Sequence, residues 1–184
     1  MSKSRKYRES VRRNFTALVP RTAFDDACRA LARRRLTESE VRQRLSGRYS
    51  ENDIESAVRK LKEYRFLDDE ALIADYVRER MQSAPRSREL MQGELEKRGI
   101  GSDDFHRVFA REFPGYNELE AARSALTMQI RQLMKAPVQG RRERTLRFLR
   151  SRGFSYEVML DVWEWFRLEG SADFSEVADD CETN

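Results

Sequence analysis

Along most of the chain, apolar residues recur every three or four positions, the spacing that lines one face of a helix. Ala27 and Leu31 begin the pattern, and Val41 and Leu45 continue it behind Thr37-x-x-Glu40. That tetrad is a capping box, in which hydroxyl and carboxylate each satisfy an end amide. Ser50 offers another N-cap ahead of Ile54, Ala57, Val58 and Leu61. Leu72, Ile73, Tyr76 and Val77 follow Asp68-Asp69, and Leu90, Met91 and Leu95 follow Pro85, a residue suited to a first helical turn. Gly99 closes that segment, and Ser102 opens another carrying Phe105, Val108 and Phe109. Beyond Pro114-Gly115, Asn117-x-x-Glu120 caps a long stripe of Leu119, Ala122, Leu126, Ile130 and Leu133. Pro137 and Gly140 break the chain again before Leu146 and Leu149, then Val158, Met159, Val162, Trp163 and Phe166. No Asn-Gly or Asp-Gly hairpin and no alternating strand run occurs. The pattern predicts an all-α protein.

The stripe also repeats. Leu95-x-x-Arg98-Gly99-Ile100, with Phe105, Val108 and Phe109, returns without insertion as Leu149-x-x-Arg152-Gly153-Phe154, with Met159, Val162 and Trp163. A first copy, Leu45, Tyr49, Ile54, Ala57 and Val58, is one residue shorter and lacks the Arg-Gly turn. Glycine suits a helix end in the left-handed conformation. Each unit is a three-helix module whose apolar faces need neighbours, so the expected fold is an elongated chain of three tandem helix-turn-helix-like repeats. The predicted boundaries are residues 23–67, 68–116 and 117–168, with a basic arm at 1–22 and an acidic tail at 169–184. In the arm, Tyr7, Val11, Phe15 and Leu18 are spaced as one helical stripe, which either docks on a partner or belongs to a frayed tail.

Charge distribution sharpens this reading. Charged residues make up 37% of the 184 positions, yet the net charge is only +4, which is not the signature of disorder. Residues 1–22 carry a net charge of +6 and residues 157–184 one of −8. Thirty of the thirty-six basic residues are arginine, which favours bidentate recognition of carboxylate or phosphate. Arg33, Arg34 and Arg35 form one run, and Arg141, Arg142, Arg144, Arg147 and Arg150 crowd a short segment whose one acid is Glu143. These eight arginines are the candidate contacts for DNA phosphate or an acidic partner surface. The bland alternative is a solvated helix surface.

Chemistry for catalysis is missing. His106 is the only histidine, so no histidine pair, zinc cluster or His-based triad can form. No nucleotide-binding glycine loop exists, and Asp68-Asp69 reads as a helix cap in preference to an acid–base pair. No catalytic residue, cofactor or metal is expected, and the chain reads as a binding protein. Cys28 and Cys181 lack redox or ligand spacing and read as reduced thiols. No apolar run is long enough to span a membrane, and no secretory signal follows the basic start. A cytoplasmic location is expected.

Phe66-Leu67-Asp68-Asp69-Glu70-Ala71-Leu72-Ile73-Ala74-Asp75-Tyr76-Val77-x-x-Arg80 resembles the Leu-Asp-Asp stretch of the RecX family of bacterial regulatory proteins. So does the run Leu146-Arg147-Phe148-Leu149-Arg150-Ser151-Arg152-Gly153-Phe154, and Ala30-Leu31-Ala32-Arg33-Arg34 with Thr37-x-Ser39-Glu40-Val41 resembles the family's first repeat. The resemblance covers roughly residues 23–166. It departs at Arg65, where the family usually has glycine, and at Ala84-Pro85, where it often has Gly-Pro. The resemblance implies a three-module helical protein that lies in the groove of the RecA–DNA filament and suppresses its ATPase, strand-exchange and coprotease activities. The implied partners are RecA and the single-stranded DNA within the filament, bound by a monomer. Two alternatives stand beside it: a helix-turn-helix-like DNA-binding protein, and a helical-repeat scaffold for another acidic partner.

Overall fold

The computed structural model describes residues 21–135 and 137–170. Among them run nine α-helices and no strand: α1 Ala23–Leu31, α2 Glu38–Leu45, α3 Glu51–Glu63, α4 Asp69–Ser83, α5 Arg88–Glu96, α6 Ser102–Glu112, α7 Glu118–Met134, α8 Val138–Ser151 and α9 Tyr156–Trp165. A single π-type turn, Phe166–Gly170, follows α9. The basic arm, with its Tyr7 to Leu18 stripe, and the acidic tail, with Cys181, fall almost wholly outside the described residues.

The helices group in threes, each around its own apolar cluster. In α1–α3, Ala27, Val41, Leu45, Ile54, Val58 and Leu61 are all but inaccessible. In α4–α6 the same role falls to Ile73, Val77, Met91, Leu95, Phe105 and Val108, and in α7–α9 to Ala122, Leu126, Leu149 and Val162. The matched pairs Leu95 and Leu149, and Val108 and Val162, are completely buried, as the repeat register predicts. The chain divides into two compact units, Met1–Asp69 and Glu70–Asn184, so the last two helix triplets share one unit.

Caps start most helices where the sequence suggests. Thr37 and Glu40 form the expected box, with Thr37 N–H donating to the Glu40 carboxylate at 2.9 Å and Glu40 N–H to Thr37 Oγ1 at 3.1 Å. Ser50 caps α3 and Asn117 caps α7. A second box at Thr22 and Asp25, which the apolar pattern does not signal, starts α1. Pro85 does not open a helical turn: Ser87 is the N-cap of α5, and the buried Pro85 stands two residues ahead of it. Gly140 does not break the chain either, because α8 starts at Val138 and the glycine sits inside its first turn. Trp163, on the apolar stripe of α9, is half-buried like Trp165, and both pack on the third cluster from its edge.

Three helix ends share one device. Ile100 N–H donates to the Leu95 carbonyl at 3.1 Å, Phe154 N–H to that of Leu149 at 3.3 Å and Phe66 N–H to that of Leu61 at 2.8 Å. The residue before each donor is left-handed: Gly99 at φ 84°, Gly153 at φ 83° and Arg65 at φ 56°. Arg65 therefore keeps the turn and carries the steric penalty of a Cβ. The first repeat also has a left-handed glycine, Gly47 at φ 77°, two residues after Leu45 where the other copies place theirs four residues on.

Gly153 is needed for a second reason. A Cβ there would lie 2.5 Å from Ser87 Oγ and 2.6 Å from Leu90 Cβ. The second and third triplets meet at this point, where Ser87 N–H donates to the Arg152 carbonyl at 3.0 Å.

Candidate functional site

Asp69 is a cap, but for a helix other than the one it begins. Its carboxylate accepts the backbone N–H of Glu38, at 3.0 and 3.3 Å, and so closes the start of α2 from across the first unit. Burial is the main cause pushing its carboxyl above the usual aspartate value, against the lowering effect of that hydrogen bond. Glu38 itself is engaged by Arg42 at 2.8 Å and by Lys62. Burial alone would raise Glu38, yet these hydrogen bonds prevail and hold it below the usual glutamate range. The Asp69 carboxylate is thus consumed by architecture.

His106 is exposed, and its Nδ1 accepts from the Arg88 guanidinium at 2.7 Å. No cluster of acidic, histidine or cysteine ligands able to hold a metal occurs among the described residues. Cys28 is a free, half-buried thiol whose pKa is raised, chiefly by burial.

What remains is arginine. Arg33, Arg34 and Arg35 are exposed in the turn after α1, and Arg34 pairs with Glu40 at 3.1 Å. In α8, Arg144, Arg147 and Arg150 follow one another at three-residue spacing, so they lie along one outward face. Arg147 pairs there with Glu143. Thr145 and Leu149 face inward from the same helix, and this fixes the outward direction of the ridge. Arg141, three residues before Arg144, continues the same spacing but is half-buried, and Arg142 is exposed off that row.

The structure adds a feature the sequence did not disclose. Arg33 belongs to a cleft of about 310 Å³ in the first unit whose other arginines are Arg21, Arg29, Arg44 and Arg48. These positions are scattered through the sequence, and only the return of α2 beside α1 gathers them. A spacing search could have paired Arg29 with Arg33 and Arg44 with Arg48, but not one pair with the other.

Comparison with known proteins places this geometry. The model of the RecX first three-helix domain matches residues 23–61, which are α1, α2 and most of α3. The regulatory protein RecX of Chromohalobacter salexigens is 31% identical over 150 residues, a match covering 78% of this chain and 94% of that one. The chain belongs to the RecX family. The regulatory protein RecX of Caldanaerobacter subterraneus is 33% identical, with 73% of this chain and 66% of that one covered. The chain spans 52% of the length of the RecX protein of Geobacillus thermodenitrificans, at 30% identity. The fold agrees with the crystal structure of RecX from Lactobacillus salivarius at a TM-score of 0.63, over 79% of this chain and 95% of that one, at 19% identity. A second RecX crystal structure gives a TM-score of 0.62 at 23% identity. No helix among the described residues is long and apolar enough to cross a membrane.

Proposed function

We propose that this RecX-family chain binds the RecA–DNA filament and modulates it, chiefly by inhibiting its recombinase, ATPase and coprotease activities. It acts as a cytoplasmic, non-enzymatic monomer in the regulation of DNA repair and recombination. The single observation that carries this reading is the match to the Chromohalobacter regulatory protein over nearly its whole length. The arginine surfaces support it, because a filament of acidic protein and phosphate presents repeated anionic contacts. Several weak contacts to successive protomers add into one strong attachment when the spacing allows simultaneous engagement. Inhibition then follows from bridging protomers that must rearrange during the cycle.

The test is direct binding. Full-length protein is titrated into RecA preassembled on single-stranded DNA, and bound protein is measured by co-sedimentation. Saturable binding that weakens with salt is expected, since screening and counterion release both oppose charged contacts. Failure to sediment with the filament at low salt would remove RecA as the partner.

A further inference from the structure

The arginine cleft of the first unit gathers five guanidinium groups with little compensating charge. Arg42, on the same unit, reaches Glu38 at 2.8 Å and Glu55 at 2.7 Å, and Arg107 and Arg111 share Glu70 at 2.9 and 3.0 Å. Among the described residues that line the cleft, Asp26 is the only carboxylate beside five guanidinium groups. Asp26 is itself engaged, accepting the Tyr49 hydroxyl at 2.9 Å and facing Arg48 at 4.0 Å. Arg29, Arg33 and Arg44 form no ion pair with any described residue. The floor is apolar, formed by Ala30 and Leu45, both buried.

We infer that this cleft binds phosphate oxyanions directly, with no protein partner required. Arginine does not deprotonate in proteins, so the cleft keeps its positive charge at every accessible pH and attracts anions. Guanidinium groups on α1, on the turn behind it and on α2 approach from different sides. A tetrahedral group presents oxygens in several directions and accepts such forks at once, whereas a planar carboxylate is used up by one or two. The apolar floor keeps water from one side and strengthens each contact. A phosphodiester strand and a free phosphorylated molecule share this chemistry. The inference goes beyond the filament reading, because it assigns a ligand to the chain alone.

The experiment therefore omits RecA. Full-length protein is titrated against a short fluorescent oligothymidylate by anisotropy, and against inorganic pyrophosphate by calorimetry. Wild type is compared with Arg29→Gln/Arg33→Gln/Arg44→Gln, with the corresponding triple lysine variant, and with Arg78→Gln/Arg107→Gln/Arg111→Gln. The last removes the same charge from the second unit. The glutamine cleft variant should bind roughly tenfold more weakly or worse, and its salt slope for the oligonucleotide should fall by about two, at about 0.7 for each phosphate no longer neutralised. The lysine variant, which keeps charge but not the fork, should fall between it and wild type, and the control should stay within about threefold. Binding of the oligonucleotide identifies a strand as the source, and binding of pyrophosphate alone identifies a free phosphorylated molecule; either upholds the site if the glutamine variant loses it. Equal losses in cleft and control variants would overturn the assignment. So would binding of both probes unchanged by the cleft substitutions, or competition by a polyglutamate peptide as effective as pyrophosphate.

Discussion

Three helix ends with the same hydrogen bonds and different residues make a sharp stability experiment. Arg65 adopts φ 56° where Gly99 and Gly153 adopt 84° and 83°. A left-handed residue bearing a Cβ is strained by about 1–2 kcal/mol, and glycine gives back about 0.5–1 kcal/mol through its freer unfolded chain. Arg65 is exposed and forms no ion pair among the described residues, so Arg65→Gly breaks no charge pairing. It should stabilise the first unit by about 0.5–1 kcal/mol. Gly99→Ala runs the same exchange backwards and should cost about 1 kcal/mol. Gly153→Ala adds a collision, because its Cβ would stand 2.5 Å from Ser87 Oγ and 2.6 Å from Leu90 Cβ. Overpacking of this kind costs about 1–3 kcal/mol more, so the total should reach about 2–4 kcal/mol. Urea denaturation followed by circular dichroism gives the ordering, and hydrogen exchange assigns each change to its unit. A destabilising Arg65→Gly, or equal costs at Gly99 and Gly153, would refute the reasoning.

Other outcomes follow from the same structure. Leu95→Ala and Leu149→Ala empty fully buried sites and should each cost about 2–5 kcal/mol in urea denaturation. Unchanged midpoints in both would mean that the repeat register is wrong. Glu38 titrates below its ordinary value of 4.5, so its stabilisation is present above that pH and is lost as pH falls through the lowered folded value. Acid melts of wild type should accordingly lose stability below about pH 4.5, and Glu38→Gln should flatten that limb. Reversing Arg144, Arg147 and Arg150 to glutamate should weaken filament binding while leaving the helical spectrum intact; unchanged affinity would remove the α8 ridge from the interface.

The sequence discloses the fold well because its signals are local. Thr37-x-x-Glu40, Ser50 and Asn117 cap the helices their positions indicate, and the Leu95 and Leu149 repeats bury matched residues. Where local signals mislead, tertiary contacts explain it. Asp69 looks like a cap for its own helix, yet its carboxylate closes α2, thirty-one residues earlier in the chain. Gly140 looks like a breaker, yet a glycine in a first turn does not stop a helix whose inward residues are anchored. Arg65 hides a left-handed turn because only the backbone, not the residue type, reveals it. The arginine run at 33–35 is visible in the sequence, while the cleft that Arg33 shares with Arg21, Arg29, Arg44 and Arg48 depends on how α1 and α2 pack.

The most direct test of the central claim is RecA's DNA-dependent ATPase, measured on a preformed filament as full-length protein is titrated in. The account predicts a fall in hydrolysis that saturates with added protein and weakens as salt rises. Hydrolysis that stays constant at protein concentrations where the filament is occupied would contradict it.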